Sequence, residues 1–295
     1  MNDFRGTGVA MITPFTAKGE GDYNALDSLV EYYVQSGIDY LVVLGTTAES
    51  VTLSSEEQTK ISRRVVEINS GRLPLMLGKG GNNTLALVQD IQAADLSGYS
   101  ALLSVCPYYN RPNQEGIYQH FSAIAVASPL PVMLYNVPAR TGAGIENDTV
   151  IRLAETHPNI FGIKDATADI TAGRALIHAV SQDFLVSSGD DFTALELVAE
   201  GGSGAISVIA GAFPEKFSQM IQLGHQNDFA AAKEIEKELF PFIDLIFREG
   251  NPTGLKALLS LQERSQNILR LPLVAASSAL QAQIKVAFDT LTMKC

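Results

Sequence analysis

The chain has 295 residues, 46% hydrophobic and 18% charged, which supplies a large packed core and excludes a disordered chain. Lysine plus arginine number 21 against 32 aspartates and glutamates, a net charge of −11. That balance argues against nucleic acid, which is bound through cations facing phosphate, and against an anionic membrane surface.

The opening Met1-Asn2-Asp3-Phe4-Arg5 lacks a charged-then-apolar leader pattern. No run of about 18 apolar residues is present, so a soluble cytoplasmic protein is expected. Eight short apolar runs then follow, at 8–15, 40–45, 73–78, 101–109, 131–138, 161–166, 184–189 and 204–211. Near-continuous apolar runs suit parallel strands covered on both faces.

Helical patterns separate these runs. Leu26, Leu29, Val30 and Tyr33 recur at i, i+3, i+4 and i+7, with Gly37 as a stop. Ser54 and Glu57 form a capping box ahead of Ile61, Val65 and Ile68. Asn83 caps a helix over 85–96, closed by Gly98. Helices over 114–127 and 147–155 stop before Pro129 and Pro158, and weaker patterns cover 170–180, 192–199 and 214–224.

Eight strand–helix units over residues 1–227 predict an α/β fold, a (β/α)₈ TIM barrel, as the catalytic domain. An open doubly wound sheet is the alternative, disfavoured because no GxGxxG follows the first strand. Residues 228–295 carry no strand pattern. Helices at 229–247, 253–261 and 277–291, broken by Pro252 and Pro272, predict a C-terminal helical domain. The two cysteines, Cys106 and Cys295, form neither a disulfide framework nor a CxxC pair. Cys106, inside a strand, reads as an inert core thiol.

In such a barrel, the carboxyl ends of the strands and the loops after them face the active site. Gly45-Thr46-Thr47-Ala48-Glu49-Ser50 follows the second strand, and Pro107-Tyr108-Tyr109-Asn110-Arg111-Pro112 the fourth. Strand five ends in Tyr135-Asn136-Val137-Pro138-Ala139-Arg140-Thr141-Gly142. Strand six carries Lys164-Asp165, strand seven Gly189-Asp190-Asp191, and strand eight Ile206.

Phe161-Gly162-Ile163-Lys164 is an apolar strand holding one amine. Period-two alternation puts Lys164 with Gly162 on one face and Phe161 with Ile163 on the other. If the glycine face looks inward, so does the lysine. A buried ammonium must be paired or lose its proton, and an unprotonated lysine is a Schiff-base nucleophile. An outward lysine paired with Asp165 is the competing reading.

Tyr135, ending the neighbouring strand, can exchange protons with a carbinolamine, or is a core aromatic with a wet tip. Thr46 and Thr47 offer hydroxyls and amides to a carboxylate, or cap a helix. Arg140 is a surface charge or the bidentate partner of a substrate carboxylate. His120, His157, His178 and His225 fall in helices or near Pro158 without ligand spacing, so no catalytic metal is expected. Asp190 and Asp191 offer carboxylates to a cation or cap the next helix, and capping is the favoured reading. Gly201-Gly202-Ser203-Gly204 lies at a strand's entrance, the wrong end for a phosphate cradle.

The segments Gly45–Ser50, Tyr135–Gly142 and Gly162–Thr167, in this order, resemble the dihydrodipicolinate synthase family of the class I pyruvate-aldolase superfamily, over essentially the whole chain. The resemblance implies that Lys164 forms a Schiff base with pyruvate. It implies that Tyr135 relays protons with Thr46 and with the partner subunit's Tyr109, and that Thr47 holds the pyruvate carboxylate. Arg140 would meet the carboxylate of L-aspartate 4-semialdehyde, with Gly189 and Ile206 lining the pocket. Tyr108 would sit at a dimer interface and Asn251 near the packing of the tail. The implied activity is a condensation in the diaminopimelate route to lysine, with no cofactor or metal, in a homotetramer built as a dimer of dimers. The alternative is another Schiff-base lyase, for a 2-keto-3-deoxy sugar acid or N-acetylneuraminate; Arg140 and the paired threonines favour the synthase.

Two departures stand out against the family pattern. Ala48 replaces a common glycine. Ser50, Asn82 and Tyr108 match the lysine feedback site, but Ser55 and Gln58 replace histidines and Ala86 replaces a glutamate, so weak or absent lysine inhibition is expected.

Overall fold

The computed structural model describes residues 2–292, so Cys295 lies outside the described residues. Eight parallel strands close into a barrel in sequence order, sealed where Gly8 of the first pairs with Ile206 of the last. The strands are β1 (Gly6–Ala10), β2 (Tyr40–Val43), β3 (Leu75–Gly78), β4 (Ala101–Val105), β5 (Val132–Asn136), β6 (Ile160–Asp165), β7 (Leu185–Ser188) and β8 (Gly204–Ser207). Around them run α1 (Tyr23–Gln35), α2 (Ser55–Asn69), α3 (Thr84–Ala93), α4 (Gln114–Ala127), a short α5 (Pro138–Thr141) and α6 (Asn147–Thr156). The ring is completed by α7 (Ile170–Ala179), α8 (Ala194–Ala199) and α9 (Pro214–His225). The tail adds α10 (Phe229–Phe247), α11 (Thr253–Leu261) and α12 (Ser278–Thr292). No helix among the described residues is long and apolar enough to cross a membrane.

Helix starts follow local chemistry. Ser54 and Glu57 close both halves of the capping box on α2. The side chains of Asp22, Asn83, Asn113, Asp169 and Asp228 each accept a backbone N–H in the first turn of their helix. All strands but β6 are shorter than the apolar runs that mark them. Residues 11–15, 106–109 and 208–211 continue those runs as loops or a 3₁₀ turn, and Met11, Ile12, Phe15, Cys106 and Ile209 remain buried there. α3 stops at Ala93, short of 96, and the Asp95 carboxylate turns the chain by accepting the Ser97 N–H.

The apolar core has two layers. One lies between sheet and helices and runs on into the tail, joining Leu29, Val65 and Ile163 with Phe242, Leu258 and Ile284. The other fills the barrel interior with Tyr40, Val42, Met76, Leu103, Met133, Tyr135, Leu185 and Ile206. Gly8 is required there, because a Cβ would stand 2.2 Å from the Tyr40 ring. The register between β5 and β6 slips at Val132/Met133, a bulge that turns Phe161 inward. Phe161 therefore packs on Phe4, with ring centroids 5.5 Å apart, rather than beside Ile163 as strict alternation predicts. Beyond the bulge alternation resumes: Ile163 faces the helices, and a Cβ on Gly162 would stand 3.2 Å from the interior Met133.

Candidate active site

The register of the β5–β6 ladder makes Tyr135 and Lys164 direct neighbours. Both are buried, at 7% and 6% exposure, and Lys164 Nζ lies 4.4 Å from the centroid of the Tyr135 ring. No carboxylate forms an ion pair with Lys164 among the described residues. Asp165 is engaged elsewhere: it accepts Asn136 Nδ2 at 3.3 Å and Thr167 Oγ1 at 2.8 Å, and burial raises its pKa. Gly189 lies against the lysine stem, and a Cβ there would come within 2.8 Å of Lys164 Cε. Only glycine leaves that stem its present path.

The threonine pair sits on a 3₁₀ turn, Thr46–Ala48, directly after β2. Two left-handed residues bracket it, Leu44 (φ 57°) and Glu49 (φ 54°). Such backbone strain in non-glycine residues persists only where the surroundings hold it. Thr46 is exposed, and Thr47 is buried with its Oγ1 accepting from Asn251 Nδ2 at 2.9 Å. Ala48 is buried without a left-handed φ, so its Cβ introduces no backbone strain at this position.

A cavity of about 410 Å³ opens at these strand ends, lined by Thr46, Tyr108, Tyr135 and Arg140 among others. Arg140 is exposed on α5, and its guanidinium donates to the Asn251 carbonyl at 3.4 Å. Lys164 is not part of that lining; its Nζ lies 4.4 Å from the centroid of the Tyr135 ring, which is. Ile206 is buried in the barrel interior on β8, two strands from Lys164. Tyr109 does not reach the cavity within this chain; it is 90% exposed with φ 73°. A larger groove of about 820 Å³ runs along α1 and α2 but is walled by helix-surface charges, including the Arg64–Asp27 pair, away from the strand ends.

Other residues fall differently from their sequence readings. Asp190 accepts the Thr193 N–H ahead of α8, whereas Asp191 is buried and accepts the N–H groups of Val208 and Ile209, across in the loop after β8. Asp191 thus holds the next strand's loop, not the next helix. Asn251 is more than tail packing, because it joins Thr47 to Arg140. Lys79 and Asp90, paired at 2.6 Å, also line the cavity and went unmarked in the sequence, since each looks like an ordinary surface charge there. The buried Cys106 thiol is pushed up to about 11 by burial, which suppresses its thiolate. No cluster of three or more histidine, cysteine, aspartate or glutamate side chains able to hold a metal exists among the described residues.

A closed parallel barrel with a buried lysine and a tyrosine side by side at the ends of adjacent strands defines the class: a (β/α)₈ barrel of the Schiff-base aldolase type. The model of the dihydrodipicolinate synthetase family matches residues 3–291. The chain is 48% identical to the 4-hydroxy-tetrahydrodipicolinate synthase of Flavobacterium psychrophilum, covering 96% of this chain and 97% of that one. It is 47% identical to the enzyme of that name from Cytophaga hutchinsonii, covering 99% and 98%. The crystal structure of dihydrodipicolinate synthase from Aquifex aeolicus superimposes with a TM-score of 0.95 at 35% identity, covering 98% of each chain. The chloride-inhibited synthase from Acinetobacter baumannii, complexed with pyruvate, gives 0.94 at 40% identity over 97% and 98%. This chain belongs to the dihydrodipicolinate synthetase family.

Proposed function

We propose that this protein is a lyase acting in the condensing direction, a 4-hydroxy-tetrahydrodipicolinate synthase that joins pyruvate to L-aspartate 4-semialdehyde for diaminopimelate and lysine biosynthesis. The observation that carries this reading is Lys164 Nζ, buried, without a carboxylate partner among the described residues and 4.4 Å from the centroid of the Tyr135 ring. The amine attacks the pyruvate carbonyl carbon, and the carbinolamine loses water to give an imine. Tyr135 moves the protons, with Thr46 and the partner subunit's Tyr109. The Thr47 hydroxyl and amide hold the ketoacid carboxylate, and Gly189 and Ile206 shape the pocket.

Loss of a methyl proton turns the imine into an enamine, whose carbon attacks the aldehyde carbon held through Arg140. The substrate's own amine then adds to the imine carbon and expels Lys164, closing the ring and freeing the enzyme. The protonated imine is the electron sink, so the sequence of steps is complete without a metal or organic cofactor. Fixing both carboxylates aligns the two carbons for attack. We take residues 1–227 as the barrel domain that supplies the reacting groups and 228–295 as the C-terminal helical domain. We place the enzyme in the cytoplasm as a homotetramer, a dimer of dimers in which Tyr109 crosses between subunits; one solved relative, 36% identical with a TM-score of 0.94, is a monomeric variant.

Borohydride reduction with pyruvate, followed by mass mapping, tests the carrying observation. An adduct at Lys164, abolished in Lys164→Ala, is expected. Turnover of pyruvate with the semialdehyde, but not of sugar acids or N-acetylneuraminate, separates the synthase from its lyase relatives. No adduct at Lys164 overturns the reading.

A further inference from the structure

The turn that carries the threonine pair is held from the other end of the chain. Glu49 links two 3₁₀ turns: its N–H donates to the Thr46 carbonyl at 3.1 Å, and its own carbonyl accepts the Thr52 N–H at 2.8 Å. Its left-handed backbone aims the side chain away from the cavity and into the tail. There the carboxylate accepts Lys256 Nζ at 2.5 Å and the Arg270 backbone N–H at 3.0 Å. Lys256 also donates to the Ile268 carbonyl at 2.9 Å and lies 4.2 Å from the centroid of the Phe15 ring. Both side chains of the pair have 0% exposure.

A buried ion pair is a poor device for stability, because desolvating both charges offsets most of their attraction and a well-packed apolar pair often serves as well. What the charged pair provides is direction. The carboxylate has its donors fixed by α11 and by the segment before α12, so Glu49 has one orientation and the turn ahead of it one geometry. The same tail reaches that turn a second time, through Asn251 on Thr47. Two anchors from residues 251–270 therefore hold Thr47 and Glu49, on either side of Ala48 in the loop after β2.

We infer that Glu49 and Lys256 are positioning residues for substrate capture, the tail setting through them the placement of Thr46 and Thr47. This role rests on the assignment of Thr47 as holder of the ketoacid carboxylate. It makes the helical tail part of the pyruvate site, not only a cover for the barrel.

The test uses Glu49→Gln, Lys256→Met and the double variant in the full-length protein. Gln keeps the side-chain length and one acceptor oxygen but turns an NH2 group toward the other donor, since Lys256 and the Arg270 N–H use different carboxylate oxygens. The double variant leaves no lone buried charge, so it recovers melting temperature lost by either single change. Pyruvate saturation is read twice, from steady-state KM and from the rate of borohydride trapping. A misplacement of about 1 Å suffices for losses of about a hundredfold, so an increase of about tenfold or more in the pyruvate concentration for half-saturation is expected, with the semialdehyde KM changed far less. That increase persists in the double variant although its melting temperature recovers. Native pyruvate saturation in any folded variant, or a defect that disappears in step with restored stability, overturns the positioning role. Thr47→Val separates the two levels. If Thr47→Val raises the half-saturating pyruvate concentration and the pair variants do not, the positioning role alone fails. If Thr47→Val leaves it unchanged, the anchor assignment fails and the positioning role with it.

Discussion

Tyr135 and Lys164 are partners in one register pair of the β5–β6 ladder, and the lysine nitrogen lies 4.4 Å from the centre of the phenol ring. Adjacent parallel strands place same-face neighbours side by side without help from a loop. Their relative position is therefore as rigid as the barrel. Tyr135→Phe keeps the ring that packs the lysine and removes the hydroxyl alone. Loss of a positioned proton carrier lowers kcat by about 10²–10⁴-fold. Borohydride still traps pyruvate on Lys164 in this variant, more slowly, and the melting temperature stays close to native. Near-native kcat would remove Tyr135 from the proton path.

Arg140 stands at the cavity's mouth on an exposed short helix, held by one long bond to the Asn251 carbonyl. A charge-assisted bond to a substrate carboxylate is worth about 1.5–3 kcal/mol, a factor of about ten to a hundred in affinity. Arg140→Ala should raise the semialdehyde KM by that factor and leave pyruvate trapping almost unchanged. Loss of pyruvate binding with semialdehyde binding intact contradicts the assignment.

Elements made by local chemistry were the legible ones. Ser54 with Glu57, Asn83 and the repeat of apolar runs each depend on residues within one turn or one strand, and they yield helix starts and the barrel order directly. Lys164 was marked by being the single amine in an apolar strand. The inward turn of Phe161 was not legible, because a bulge breaks the alternation from which facing is read. Asn251 on Thr47 and Lys256 on Glu49 span 204 and 207 residues, and contacts of that range leave no periodic trace in one sequence. Asp191 looked like its neighbour Asp190, and only the closed sheet shows that it serves the loop after β8 instead.

Tyr109 combines two properties that are unfavourable in a lone chain: 90% exposure of a large aromatic and a left-handed backbone at φ 73°. Left-handed backbone at a bulky residue costs about 1–3 kcal/mol and persists where surroundings or function demand it. If the ring enters a partner's site, turnover falls as the enzyme is diluted to monomers, in parallel with the loss of dimer seen by sedimentation. Tyr109→Phe lowers kcat without changing the assembly. A verified monomer with full activity removes Tyr109 from the relay.

Lysine should inhibit this enzyme weakly or not at all. Ala86 is exposed in the first turn of α3 and offers no charge to an ammonium group. The Gln58 amide is taken up by the Ser50 and Leu53 carbonyls, at 2.9 and 3.3 Å, closing the loop ahead of α2. Asp90 does reach the cavity, but its carboxylate is paired with Lys79. Initial rates measured at rising lysine and fixed substrates are expected to stay nearly flat through the submillimolar range. A steep fall there shows that the cation finds another partner.

Asp191 predicts a dependence of stability on pH. Burial, the largest influence, raises its carboxyl to about 6, and this outweighs the bonds from the Ser207 hydroxyl and the N–H groups of Ile209 and Val208. In the unfolded chain the group titrates near 3.9, so between about pH 4 and 6 the folded state binds a proton that the unfolded state has released. Its contribution to stability is therefore full below about pH 4 and is lost as pH rises through about 6, a change of roughly 3 kcal/mol. The substitution Asp191→Asn removes the titrating group and keeps an acceptor oxygen for the same donors. Urea unfolding of the native protein and of this variant, compared from pH 4 to 7, should show the variant gaining relative stability across that window and levelling off above it. A difference that stays constant with pH would mean that the carboxyl binds protons equally in both states, titrating in the barrel wall as it does in the open chain.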